Sequence, residues 1–153
     1  MTKPHVHTFY RAWFTWVDPI VLFFTILACI FTPADVLNTV VPADLAPLQR
    51  FHECLFHQSA ALYAFMAIMF AVLLRASPDP KVWRVVQAAT LLVDVALLAT
   101  MYGALKQQGR LETTKWRGGD YFNFLFTVWV AVVRIAFLMG IGGADGGNSK
   151  KIA

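Results

Sequence analysis

Asp18, Asp94 and Arg134 each stand alone as a charge inside a long apolar stretch of this chain. An Asp or Arg at the centre of a membrane helix costs about 2.5 to 3.5 kcal/mol on insertion scales. Flanking aliphatic residues can offset one such cost per helix, but they give no reason for three of four apolar segments to carry one. The simplest arrangement turns all three residues inward, against one another. One guanidinium neutralises one carboxylate, and the second carboxylate, desolvated beside a like charge, is expected to keep its proton. An ionised and a protonated carboxylate in a dry cavity form a base and an acid side by side. Such a pair could open an epoxide: one carboxylate activates water or an internal hydroxyl, the other protonates the ring oxygen, and Arg134 holds the two. The same groups could move a double bond or drive a ring closure, as a sterol- or terpenoid-type isomerase or cyclase would. A third reading is non-catalytic, a lipid-binding or assembly protein in which ion pairs only pin helices together.

Helical spacing favours convergence. Thr15, Asp18, Thr25 and Cys29 fall near one stripe of the first segment. Glu53 and His57, four residues apart, share a face. Their stripe continues through Ala60, Ala64, Ala67 and Ala71, small residues that let helices approach closely. Gln87 aligns with Asp94, and Tyr102 follows about two turns beyond. Asn123, Thr127, Ala131 and Arg134 align on the last segment. At about 1.5 Å per residue, Asp18 and Arg134 lie at similar height, with Asp94 near mid-membrane. Glu53, His57, Tyr102 and Asn123 lie toward the other face. Asp18, Asp94 and Arg134 are thus the expected catalytic group, and Glu53, His57, Gln87, Tyr102 and Asn123 the expected substrate-binding residues. A lone His near a helix end is more often interfacial than a ligand. Glu53 and His57 offer only two metal ligands, and no third stands at suitable spacing, so neither a metal site nor a cofactor is expected.

The elements that must carry these residues follow from composition. Of 153 residues, 58% are hydrophobic and 14% charged, well short of the roughly one-quarter charged content of soluble domains. Four stretches, about 12–31, 52–74, 83–105 and 121–141, approach the roughly 20 residues that cross a bilayer as a helix. Backbone groups must be satisfied internally in lipid, so an all-α, four-helix transmembrane bundle in a single domain is expected. The first span is too long for a cleavable leader and carries Asp18-Pro19; Pro19 should kink it or delay its start. Thr32 to Arg50 reads as a Pro-rich loop with a short interfacial helix, Ala76 to Pro80 as a tight turn, and Lys106 to Asp120 as a longer polar loop. The glycine-rich stretch from Gly140 begins a flexible tail over 142–153. It is no dinucleotide fingerprint, since Asp145 stands where the last glycine belongs and no strand precedes it.

Lys3, Arg11, Arg75, Lys81, Arg84, Lys150 and Lys151 outnumber Arg50, Lys106, Arg110, Lys115 and Arg117 across the bundle, which favours both termini in the cytosol. Lys150-Lys151 near the end resembles a dilysine retrieval signal of the endoplasmic reticulum, which is read from the cytosol. The net charge of +4 is not concentrated in a basic surface, so nucleic acid is set aside as a partner. The expected partners are a lipophilic small-molecule substrate and membrane lipid, and the small buried surface of four short helices suits a homodimer. Cys29 and Cys54 fall near one membrane face and could form one bridge, though two small apolar fillers is the simpler reading.

The chain also resembles a family of small fungal membrane proteins described as a domain of unknown function. The resemblance rests on Trp13-Phe14-Thr15 with Asp18-Pro19, on Phe31-Thr32-Pro33, and on Leu73-Leu74-Arg75 followed by Val82-Trp83-Arg84 and Gln87-Ala88-Ala89. It continues through Leu91-Leu92-Val93-Asp94, Met101-Tyr102 and Gln108-Gly109-Arg110-Leu111, then Trp116-Arg117, Asp120, Asn123 and Arg134-Ile135-Ala136-Phe137-Leu138. It implies a four-helix membrane fold in a fungal cell. Some relatives sit among genes for polyketide or terpenoid products, which implies a tailoring enzyme. Glu53, Cys54 and His57 depart from the family pattern, which has aliphatic residues there. A looser similarity, of architecture alone, is to the emopamil-binding and sterol-isomerase group, whose members surround acidic residues, a histidine and aromatic residues with a few membrane helices.

Overall fold

The computed structural model describes residues 6–45 and 47–142. Residues 143–153 of the expected flexible tail, including the Lys150-Lys151 pair, and Lys3 lie outside the described residues. Four helices are long and apolar enough to cross a membrane: α1 (Thr8–Phe31), α3 (Arg50–Ala76), α4 (Pro80–Gln107) and α5 (Gly118–Leu138). The short α2 (Pro33–Asn38) lies in the first loop, where a short helix was expected. Each long helix shows large apolar side chains to the outside, Phe24 on α1, Leu62 on α3, Leu92 on α4 and Phe122 on α5. That is the surface an integral membrane protein presents to lipid.

The spans start earlier or run longer than hydropathy alone suggests, because polar caps extend them. Asp79 Oδ1 accepts from the Lys81 amide at 2.9 Å, and Pro80 fills the first position of α4, where a missing N–H is harmless. At the head of α5 the Asp120 carboxylate accepts from the Arg117 amide at 2.8 Å. Arg110 and Arg117 both pair with the same carboxylate.

Pro19 does not delay α1, which begins ahead of it at Thr8. The helix runs through as a wide π-turn at Trp13–Val17 followed by regular α-helix from Asp18. Residue 19 would normally donate to the Thr15 carbonyl, and proline has no N–H to give. Arg75 supplies the donor instead: its Nη2 lies 2.6 Å from Thr15 O, and its guanidinium stacks 4.1 Å from the Trp16 ring centroid. A second π-turn, Met69–Leu73 in α3, packs against the first.

Close backbone contact is concentrated in two pairs, α1 with α3 and α4 with α5. The small stripe of α3 does what its size allows: Ala60 is buried, and Ala64, Ala67 and Ala71 are half-buried. The two pairs meet at the end of the bundle nearer the termini. There Tyr10, Phe14, Phe70, Leu74, Trp83, Val86 and Val133 form the apolar core. Tyr10 also donates to Ile141 O at 2.7 Å. At the far end the ties between the pairs are polar, Arg117 Nη1 to Asn38 Oδ1 at 3.0 Å and Gln108 Nε2 to Val40 O at 3.1 Å. Cys29 is a buried filler, Cys54 is exposed, and both are free thiols.

Candidate active site

Asp18, Asp94 and Arg134 come from three different helices and meet. Arg134 Nε donates to Asp94 Oδ2 at 2.7 Å, and its Nη1 lies 2.9 Å from Asp18 Oδ2. The residues are 3%, 6% and 5% exposed for Arg134, Asp94 and Asp18 respectively. The two carboxylates are not held alike. Asp94 receives a well-aligned, charge-assisted hydrogen bond. Asp18 Oδ2 sits close to the guanidinium but off the line of any donor, and is buried without a hydrogen-bond partner.

The π-turns lie beside this trio. Phe14, Thr15 and Asp18, whose spacing puts them on one helix face, are buried together in and beside the Trp13–Val17 turn, at 0%, 3% and 5% exposure. In α3, Phe70 and Leu74, also four residues apart, are buried in and beside the second turn. Wide turns of this kind recur at functional sites because they re-aim side chains without ending the helix. The rings of Phe14 and Phe70 then lie 5.7 and 5.3 Å from the Arg134 Cζ. They close the site on the side of the apolar core.

On the opposite side the trio borders a hollow of about 290 Å³. It runs along α5 from Arg134 to Phe122, about 18 Å at the helical rise. Thr25 and Thr127 line it, but their hydroxyls bond back to Val21 O and Asn123 O within their own helices. The polar groups left to meet a guest are the two aspartates, Arg134, Asn123 and Tyr63.

The other sequence-derived residues divide. Asn123 lines the hollow as expected. Gln87 is fully buried beside the trio, yet it is not part of the hollow's wall. Its Oε1 accepts from Arg134 Nη1 at 2.5 Å, so it brackets the guanidinium rather than lining the hollow. Tyr102 is 57% exposed. Eight residues past Asp94 overshoot two turns by about 80°, and Leu105, eleven residues on, returns to the buried face. Glu53 and His57 share a face as read, but both are exposed and neither reaches the hollow. The first turns of α3 have little cover from the other helices: Phe51, Cys54, Leu55 and Gln58 are exposed with them. Among the described residues no group of three or more His, Cys, Asp or Glu is placed to hold a metal ion.

Tyr63, Phe14 and Phe70 were not anticipated. Tyr63 stands three residues after Ala60, on the small stripe, and that spacing was its only signal. Aromatic residues in a span face lipid often enough that the two phenylalanines carried no signal at all.

A family model described as a domain of unknown function (DUF7704) matches residues 3–144. No curated protein and no solved structure matches the chain.

Proposed function

The chain belongs to the DUF7704 family, a domain of unknown function, and we propose that it is an intramembrane acid–base enzyme that opens an epoxide on a lipophilic polyketide or terpenoid. The observation that carries this is two carboxylates on different helices, sharing one guanidinium, at the edge of a hollow sheltered by apolar walls. One cation against two carboxylates leaves one proton for the pair. Asp94, with its aligned bond from Arg134, is the carboxylate suited to stay ionised. Asp18, with an oxygen lacking any aligned donor, is suited to carry the proton.

In hydrolysis, water attacks a ring carbon and gives its proton to Asp94. The carbon–oxygen bond of the epoxide breaks, its electron pair stays on oxygen, and that oxygen takes the proton of Asp18. The product is a vicinal diol, and a proton returning from Asp94 to Asp18 resets the site. In ring closure an internal hydroxyl replaces water and the product is a hydroxylated cyclic ether. General acid and general base contributions of this type are each worth about 10² to 10⁴ in rate. The setting we propose is the endoplasmic reticulum of a fungal cell, in secondary metabolism, with both termini cytosolic. The excess of Lys and Arg on the side of the termini supports that orientation.

A second reading, a structural pin, is favoured by how completely Arg134 is held. Asp18 and Phe14 of α1, Phe70 of α3, and Gln87 and Asp94 of α4 all touch it, so one side chain ties all four spans. The variant Asp94→Asn separates the two. Its amide oxygen can still accept from Arg134, but it cannot act as a base. Lost turnover of epoxidised polyenes with an unchanged melting temperature supports the enzyme. Retained turnover, or unfolding in detergent together with no conversion by the wild type, sinks it.

A further inference from the structure

We propose that a second cavity, between α3 and α4, binds the hydrocarbon arm of the substrate while its reactive end reaches Asp18 and Asp94. This rests on the reading above and adds to it a substrate shape: a long apolar chain with its epoxide near one end. The cavity has a volume of about 450 Å³ and extends along α3 from Ser59 to Phe70, about 16 Å at the helical rise.

Its lining is suited to hydrocarbon and little else. Ser59 and Thr90 are its hydroxyl residues besides Tyr63, and both turn back onto their own helices, to Leu55 O and Val86 O at 2.9 Å each. With those hydroxyls engaged, a guest finds methyl, methylene and aromatic surface. The cavity lies where the two helix pairs are not in close backbone contact, so it faces the bilayer, from which a lipophilic molecule would arrive.

What selects the occupant is continuity with the polar site. Tyr63, Met66, Phe70 and Val93 line both the cavity and the hollow, so these four side chains form the partition between them. Met66 is half-buried, unbranched and able to change rotamer at little cost. Phe70 touches Arg134 on one side and the cavity on the other. A chain lying along α3 thus needs only to pass this partition to present its end to the carboxylates. A phospholipid acyl chain would fit the groove equally well, but it would bring no group for the site behind the partition.

The test uses the full chain in lipid nanodiscs with 1,2-epoxyoctadecane carrying a diazirine at mid-chain. After photolysis, the label is mapped by mass spectrometry, and conversion to diol is followed in parallel. The expected result is label on the α3–α4 groove, lost in Ala89→Trp, whose side chain would fill the cavity from its exposed position on α4. Ser59→Trp fills it from the α3 wall and is expected to do the same, should Ala89→Trp fail to fold. Asp94→Asn should keep the label while losing conversion. Label spread evenly over the outward positions Leu92 and Val132, or label displaced by phospholipid but not by unlabelled epoxide, overturns the proposal. Conversion that is untouched by both filling variants overturns the groove and leaves the epoxide chemistry standing. Groove labelling without conversion by any form leaves the groove standing and overturns the chemistry.

Discussion

Replacing Arg75 by Met should destabilise the protein by an amount that depends on residue 19. In the wild type, Arg75 donates to the Thr15 carbonyl that Pro19 leaves without its usual partner, and stacks on Trp16. A hydrogen bond involving a charged group is worth roughly 1.5 to 3 kcal/mol. The cation–π contact adds about 0.5 to 1 kcal/mol at an exposed site. Arg75 is on the exposed side of α3, so the lower ends apply, and Arg75→Met should cost about 2 kcal/mol. In a Pro19→Ala background, residue 19 regains an N–H within reach of Thr15. The bond from Arg75 becomes redundant there, and the same substitution should cost only about 0.5 kcal/mol. The coupling between the two positions is then about 1.5 kcal/mol, well above the few tenths by which independent sites fail to add. Reversible unfolding in mixed micelles, titrated with SDS and followed by circular dichroism, measures all four corners of the cycle. Equal costs in the two backgrounds would refute the assignment of Arg75 to the orphaned carbonyl.

Four further outcomes are expected. Gln87→Met leaves Arg134 without one acceptor and should lower stability by about 1 to 2 kcal/mol in the same assay, with a larger loss of turnover than of stability. Phe70→Ala removes one wall of the plug beside Arg134 and should cost about 3 to 5 kcal/mol, and a cysteine-reactive probe on Cys29 would report any loosening of the bundle. His57→Ala and Tyr102→Phe, both at exposed positions, should change neither melting nor conversion beyond about 0.5 kcal/mol; a loss of activity in either would contradict the boundaries of the site. Asp120→Asn weakens the hold on Arg110 and Arg117, and limited proteolysis should cut the loop between α4 and α5 sooner than in the wild type.

The four spans and the meeting of Asp18, Asp94 and Arg134 were legible in the sequence for one physical reason. Lipid penalises charge heavily, so three lone charges in apolar stretches have few arrangements open to them. Gln87 was legible as an inward residue by its seven-residue spacing from Asp94, but spacing does not distinguish a wall of the hollow from a bracket on Arg134. Tyr102 was misplaced because a spacing of eight residues is 80° out of phase on a straight helix. Glu53 and His57 were in phase, yet phase says nothing about whether another helix extends far enough to cover them. The π-turns left no trace in the pattern, although Phe14 and Phe70 within them lie beside Arg134. Pro19 pointed to a kink or a late start, but not to the bond that Arg75 gives the Thr15 carbonyl from 60 positions along the chain, a contact only the three-dimensional structure reveals.

The unequal joining of the two helix pairs shapes how the molecule can breathe. At one extremity the pairs are welded by interlocked rings and a three-residue connection between Ala76 and Pro80. At the other, among the described residues, they are clipped together by hydrogen bonds from Arg117 to Asn38 and from Gln108 to Val40, worth about 1.5 and about 1 kcal/mol. The protein is therefore built like a pair of tongs, joined firmly near the aspartates and lightly at the loops. Any parting of the pairs would begin at the loops, and the distance between Asp18 and Asp94, near the firm end, would change least.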